Sequence, residues 1–221
     1  MSRVFDIVIE QLREDLFRMG GRAEAILEKS LRAVWERRAS LAEEVAKDDL
    51  EIDRLDVAID EQVLKALALQ APVAEDLREV LAIKMIATDL ERVGDLARNI
   101  AKGARRLAEK PELAFPATLT TLSRSSQAAL RRSLDAFGRN DPELARRVLG
   151  EDDEIDEQHD EVIRTLVRRL EEESGGVSQY VDAIQLAKHL ERVADHATNI
   201  AEDVILVAEA RNVKHAAKLA R

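Results

Sequence analysis

A twelve-residue segment occurs twice in this chain, one hundred residues apart, and no other feature constrains the fold as strongly. Residues 90–101 read LERVGDLARNIA and residues 190–201 read LERVADHATNIA, with nine of the twelve positions identical. A core needs only apolar character and about the right volume at each position. The identities here include polar pairs: Glu91/Glu191, Arg92/Arg192, Asp95/Asp195 and Asn99/Asn199. A chemical task shared by two halves of a duplicated chain explains them better than packing does. A second echo supports the duplication, with DLEID at 49–53 matched by DDEID at 152–156, an offset of 103.

Both repeated segments lie in helical surroundings. Ala, Leu, Glu and Arg dominate, and aromatics supply only 3% of residues, the composition of long helices rather than sheets. Period-two alternation persists nowhere. Sparse Gly and Pro leave room for six helices. The first is expected from near residue 4 to 37, with Gly20-Gly21 a point of bending or weakening. Ser40-Leu41-Ala42-Glu43 reads as a capping box opening the second, and Ala71-Pro72-Val73 ends it before a third over about 74–109. A fourth spans roughly 117–137. Asp141-Pro142 starts a fifth, which Ser174-Gly175-Gly176 stops near 173; Ser178 caps a sixth that extends toward 219. The expected fold is all-α, two tandem, sequence-related three-helix bundles, divided into 1–112 and 117–221.

Within the third helix, Glu91, Asp95 and Asn99 form a stripe drifting about 40° per step, while Leu90, Val93, Ala97 and Ile100 lie on the opposite side. The carboxylates are therefore expected to face away from the apolar stripe, toward solvent or a groove. Glu191, Asp195 and Asn199 repeat the pattern, extended by Glu202. The second helix adds Asp49, Asp53, Asp56 and Asp60, and the fifth adds Asp152 and Asp156. Two carboxylates at i and i+4 can hold one cation, and two such pairs on neighbouring helices would make an oxygen-rich site. The chain has no cysteine, so hard cations such as Mg, Ca, Mn or ferric iron suit these donors better than zinc. The competing reading is a solvated acidic face, since a chain with 44 acids contains such spacings by chance. Arg92 and Arg192 either orient the carboxylates or pair with acids on an adjacent helix. His196, whose counterpart is Leu96, reads as a surface histidine; His159 stands at ligand spacing from Asp156 but reads as exposed, and His189 lies off the stripe. His215 carries no signal, and Trp35 and Tyr180 read as packing residues.

The doubled L-E-R-V-[GA]-D-x-A-x-N-I-A resembles the signature of the PhoU family of phosphate-uptake and phosphate-signalling regulators. Ala71-Pro72-Val73-Ala74-Glu75-Asp76-Leu77-Arg78 is similar to that family's entry into its third helix, and Val45 to Asp53 matches its V-x-x-x-D-x-x-[IV]-D run. The resemblance implies a cytoplasmic, dimeric, non-enzymatic regulator. Its implied partners are the ATPase subunit of the phosphate ABC transporter and a sensor histidine kinase. It also implies metal sites, with iron or zinc as the family's metals. By position the ligands would be Asp49, Asp53, Glu91 and Asp95 in one half, and Asp152, Asp156, Glu191 and Asp195 in the other. Arg92, Asn99, Arg192 and Asn199 would orient these groups or touch a partner. Asp56 and Asp60 correspond to His159 and Ile163, so the two sites need not be equivalent.

Other function classes fit less well. A net charge of −10 disfavours nucleic acid and anionic membrane surfaces, which recruit Lys and Arg. No stretch approaches 18 apolar residues, so no membrane insertion is expected, and the early charges of MSRVFDIVIEQLRED do not make a signal peptide. A carboxylate-bridged di-metal oxidase or metal-storage bundle would carry E-x-x-H pairs pointing into its core, and the sequence has none. A plain helical scaffold accounts for the helices but not for the duplicated Arg and Asn.

Overall fold

A computed structural model describes residues 4–172 and 175–214. Among them lie seven helices and no strand: α1 (Val4–Trp35), α2 (Ala39–Gln70), α3 (Ala74–Ala108), α4 (Ala117–Arg139), α5 (Pro142–Gly150), α6 (Asp152–Glu172) and α7 (Val177–Glu209). The fifth expected helix is interrupted at Glu151, whose amide bonds to the Val148 carbonyl in a tight turn. Each half therefore still contributes three rods. Ser174 and His215 lie outside the described residues.

Local chemistry sets the helix ends, with differences from the sequence reading. Asp141 caps α5 as expected, accepting from the Leu144 amide at 2.9 Å, with Pro142 in the first turn. The capping box at Ser40–Glu43 does not form: α2 begins one residue earlier, at Ala39, behind Arg38. Gly176, at φ 74°, precedes α7, and Ser178 accepts a hydrogen bond from Lys110 rather than capping the helix. α7 ends at Glu209, short of 219.

The inner helices are α3 and α7. Buried residues of α3 recur at 80, 83, 87, 90, 94, 97, 101 and 104, alternating steps of three and four that suit close packing between long helices. α7 repeats the pattern at 183, 187, 190, 194, 197, 201 and 204. α3 packs on α1 and α2, and α7 on α4, α5 and α6; α3 and α7 then pack on each other. They run antiparallel, because Asp89 meets Asn199 while Arg106 meets Asp182.

A second seam joins α1 to α4. There Gly20 does not interrupt α1, which is continuous; a Cβ at that position would lie 3.1 Å from Leu134 side-chain carbons. The glycine thus admits a neighbouring side chain. Phe17 and Phe137 pack nearby, with ring centroids 5.7 Å apart. The join between halves is tied down: Gln179 donates to the Pro111 carbonyl at 2.7 Å, and Trp35 meets Phe115 edge-on.

Candidate functional site

The carboxylates do not simply face away from the apolar stripe. They line the edge where α2 meets α3 and, in the second half, where α6 meets α7. Asp49 is the clearest departure, with 2% of its side-chain surface exposed. Arg98 Nη1 donates to Asp49 Oδ2 at 2.7 Å, and Nη2 donates to Asp95 Oδ1, so one guanidinium bridges both helices. Burial pushes the Asp49 carboxyl above its ordinary value, against the pull of Arg98. Glu91, half-buried, is also raised by burial; Arg92 opposes that shift, while Asp95, Asp56 and Asp53 add to it. Arg92 reaches Glu91 at 3.4 Å and Asp95 at 3.5 Å on its own helix rather than acids on a neighbour. Farther along, Lys84 pairs with Asp60 and lies 3.5 Å from Asp56.

The second edge uses the same helices in a different balance. Asp152 is pushed up to about 6, first by burial and then by Asp156, Asp195, Asp153 and Glu202. Glu191 is raised by burial and Asp195, with His159 and Arg192 pulling it back. Thr198 stands where Arg98 stands in the first half, and Ile184 where Lys84 stands. Two of the first half's cations are therefore absent from this edge.

The polar residues of the α3/α7 seam were not expected as a group. His196 is no surface histidine: its Nδ1 lies 2.7 Å from Asp89 Oδ1, and both side chains are 15% exposed. Asn199 donates to the same oxygen at 3.2 Å, which gives it a role within the fold. Asn99 accepts from Lys102 at 3.4 Å and lines a hollow of about 280 Å³ with Arg106, Asp182 and His189. Burial lowers His189, whose Nδ1 has no partner. Tyr180 is buried, as packing predicts.

Arg98, Lys84 and Asp89 are the site residues that the sequence reading missed. For Arg98 a signal existed, because Arg98/Thr198 is one of three mismatches in the twelve-residue repeat.

As a donor set, the second edge offers carboxylate oxygens from two helices, the ligand type of hard cations, with Arg192 close enough to pull Glu191 down. The first edge suits one poorly, since a guanidinium already lies between Asp49 and Asp95. Among the described residues, no three acid or histidine side chains converge tightly enough to chelate one ion as they stand. Nor is any described helix long and apolar enough to cross a membrane.

Comparison with known proteins follows the duplication. A family model described as the PhoU domain matches residues 16–104 and again 119–204. A PhoU homolog of Xylella fastidiosa, named as a phosphate-specific transport system accessory protein, is 36% identical over 203 residues, covering 92% of this chain and 86% of that one. The crystal structure of PhoU from Pseudomonas aeruginosa superposes with a TM-score of 0.91 at 32% identity, over 94% of this chain and all of that one. The phosphate transport system regulatory protein PhoU from Streptococcus pneumoniae gives 0.88 at 25%, over 95% and 99%.

Proposed function

Because the chain belongs to the PhoU family, matched in both of its halves, we propose that it is a cytoplasmic accessory protein of phosphate transport that holds phosphate-starvation signalling in its repressed state. The match of one domain model to residues 16–104 and 119–204 carries this reading. The accessory and regulatory names of the relatives support a non-enzymatic role. The proposed partners are the ATPase subunit of the phosphate ABC transporter and the sensor histidine kinase, with the protein acting as a homodimer.

Docking would use the carboxylate edges. Four carboxylates recur in both, Asp49, Asp53, Glu91 and Asp95 matching Asp152, Asp156, Glu191 and Asp195, and they present negative charge that complements basic partner surfaces. In the second half Asp152, Asp156, Glu191 and Asp195 would hold a metal ion, iron or zinc as the family implies, or Mn or Mg as oxygen donors favour. Such an ion would supply positive charge at this edge; Asp152 and Glu191 on its partly buried side, with the more exposed Asp156 and Asp195, would be the residues to hold it. An oxidase or storage role finds no support, because the acids line interhelical edges and the sequence has no E-x-x-H pair.

Capture of the purified transporter ATPase subunit and kinase by the immobilised chain tests the docking reading. Wild type is expected to retain both partners. Glu91→Ala/Asp95→Ala and Glu191→Ala/Asp195→Ala, with unchanged helical circular dichroism, are expected to weaken capture at least tenfold. Equal capture by all three proteins would refute the carboxylate edges as docking surfaces.

A further inference from the structure

The chain carries a net charge of −10, yet one groove of its first half is lined by cations. On α3, Arg98, Ala101, Lys102 and Arg105 stand at i, i+3, i+4 and i+7, which places them on one side of the helix. On α2, Ala42 and Ala46 stand one turn apart, with Glu43 and Lys47 beside them. The two faces enclose a groove of about 710 Å³, to which Arg106 adds a fifth cation. Ala42, Ala46 and Ala101 give it an apolar lining that fills little of its space. Two of the cations are held by the chain's own acids. Arg98 bridges Asp49 and Asp95, and Arg106 donates to Asp182 Oδ1 from Nε at 2.8 Å and from Nη2 at 2.6 Å. The other three are available: among the described residues Lys102 donates only to the Asn99 side-chain oxygen at 3.4 Å, and Lys47 and Arg105 have no ion-pair partner.

Duplication supplies the control for this cluster. The matching positions of the second half are Gly150, Thr198, Glu202, Ile205 and Leu206, so none of the five cations recurs. The three-helix unit therefore folds without them. Basic residues in the last turn of a helix complement its dipole, which accounts for Arg105 and Arg106. It does not account for Lys102 farther back or for Lys47 on the other helix.

We propose that the α2/α3 groove is a docking surface opposite in sign to the carboxylate edges, and that it takes a short acidic segment of a protein partner. Lys47, Lys102 and Arg105 pair with carboxylates of that segment, and the alanine lining takes an apolar side chain between them. Arg98 and Arg106, already held by acids, bracket the groove about 12 Å apart along α3. A longer polyanion fits less well. A nucleic-acid backbone or an anionic bilayer would carry its phosphates past the groove onto Glu43 and the acidic edge that begins at Asp49 and Asp95. A short segment ends within it. The groove does not depend on what the carboxylate edges bind.

The probe is a fluorescein-labelled peptide of Glu with interspersed Leu, titrated with the full chain and followed by anisotropy. Wild type is expected to bind it, less tightly as salt rises, and to bind a Glu/Ser peptide at least tenfold more weakly. Lys47→Glu/Arg105→Glu should lose at least tenfold in affinity with helical circular dichroism unchanged, as should Lys102→Glu, which copies Glu202 of the second half. Ala46→Phe fills the groove without altering charge and is expected to weaken binding as well, whereas Lys47→Arg keeps it. Glu191→Ala/Asp195→Ala should bind as wild type does, which separates this groove from the carboxylate edges. No binding by wild type, or equal binding by the charge variants, would overturn the proposal. Unchanged binding by Ala46→Phe would replace the groove with a diffuse basic field and overturn it too. Single-stranded DNA or phosphatidylserine vesicles held more tightly than the peptide, through the same three cations, would overturn the acidic segment as occupant.

Discussion

Arg98→Ala probes the contact that distinguishes the two halves. It removes the donor 2.7 Å from Asp49 Oδ2 and the bridge to Asp95. Removing one partner of a buried ion pair costs about 3–5 kcal/mol. Asp49 is 2% exposed but Arg98 is 35% exposed, so water reaches the vacated space, and a loss of about 1–3 kcal/mol is expected at neutral pH. Urea unfolding followed by circular dichroism, with Trp35 fluorescence as a second probe, measures it. Asp49→Asn/Arg98→Ala should lose less than the sum of its single variants, because neither change alone leaves the other group satisfied.

The pH dependence has a definite sign. Asp49 is already raised by burial, and Arg98 is the group that lowers it, so the variant's carboxyl rises further. A raised folded value gives stability that is present below the unfolded value and lost as pH rises through the folded one. The deficit of Arg98→Ala should therefore be smaller near pH 4 than near pH 7.5. A loss under about 0.5 kcal/mol, full additivity with Asp49→Asn, or a larger deficit at low pH would refute the reasoning.

Two further outcomes follow from the packing. Gly94→Ala places a Cβ 2.8 Å from Asp49 Oδ1 and should cost about 1–3 kcal/mol by thermal or urea unfolding, whereas Gly21→Ala, with nothing within 4 Å, should not destabilise. Asp203 is fully buried beside Asp89 and Glu202; Lys214 lies 2.9 Å away, yet neither carboxylate oxygen receives a well-aligned hydrogen bond. Burial raises it from 3.8 to about 6, so its contribution is full below about pH 4 and lost as pH climbs through about 6. Asp203→Asn is expected to flatten that part of the stability curve and to stabilise the chain at pH 7.5 by up to about 3 kcal/mol; an unchanged curve would contradict the assignment.

The helices were legible because their apolar residues recur at steps of three and four, and because Pro72, Pro116 and Asp141-Pro142 mark their ends. The break at Glu151 was not, because its one signal is the lone Gly150 just before it, a residue a helix often tolerates, and the interruption is a single residue. The acidic edges were legible as a repeated pattern, but their orientation was not. A helix's own periodicity gives angles relative to its own stripe, and α3 is covered by α1, α2 and α7. Asp49 therefore sits inside an interface that its own helix does not reveal. The His196–Asp89 pair joins residues 107 positions apart, so it follows from the antiparallel packing of α3 and α7 and from no local spacing. Arg98 was visible only as a mismatch, and its meaning required knowing which carboxylate it reaches.

The most direct test of the regulatory account is a phosphate-starvation reporter in phosphate-replete cells that lack their own PhoU-family protein. The account predicts that this chain restores repression, and that Glu191→Ala/Asp195→Ala, at equal protein level, leaves the reporter on. Full repression by the variant would contradict a role for the second carboxylate edge, and a reporter left on by the unaltered chain would contradict the regulatory function itself.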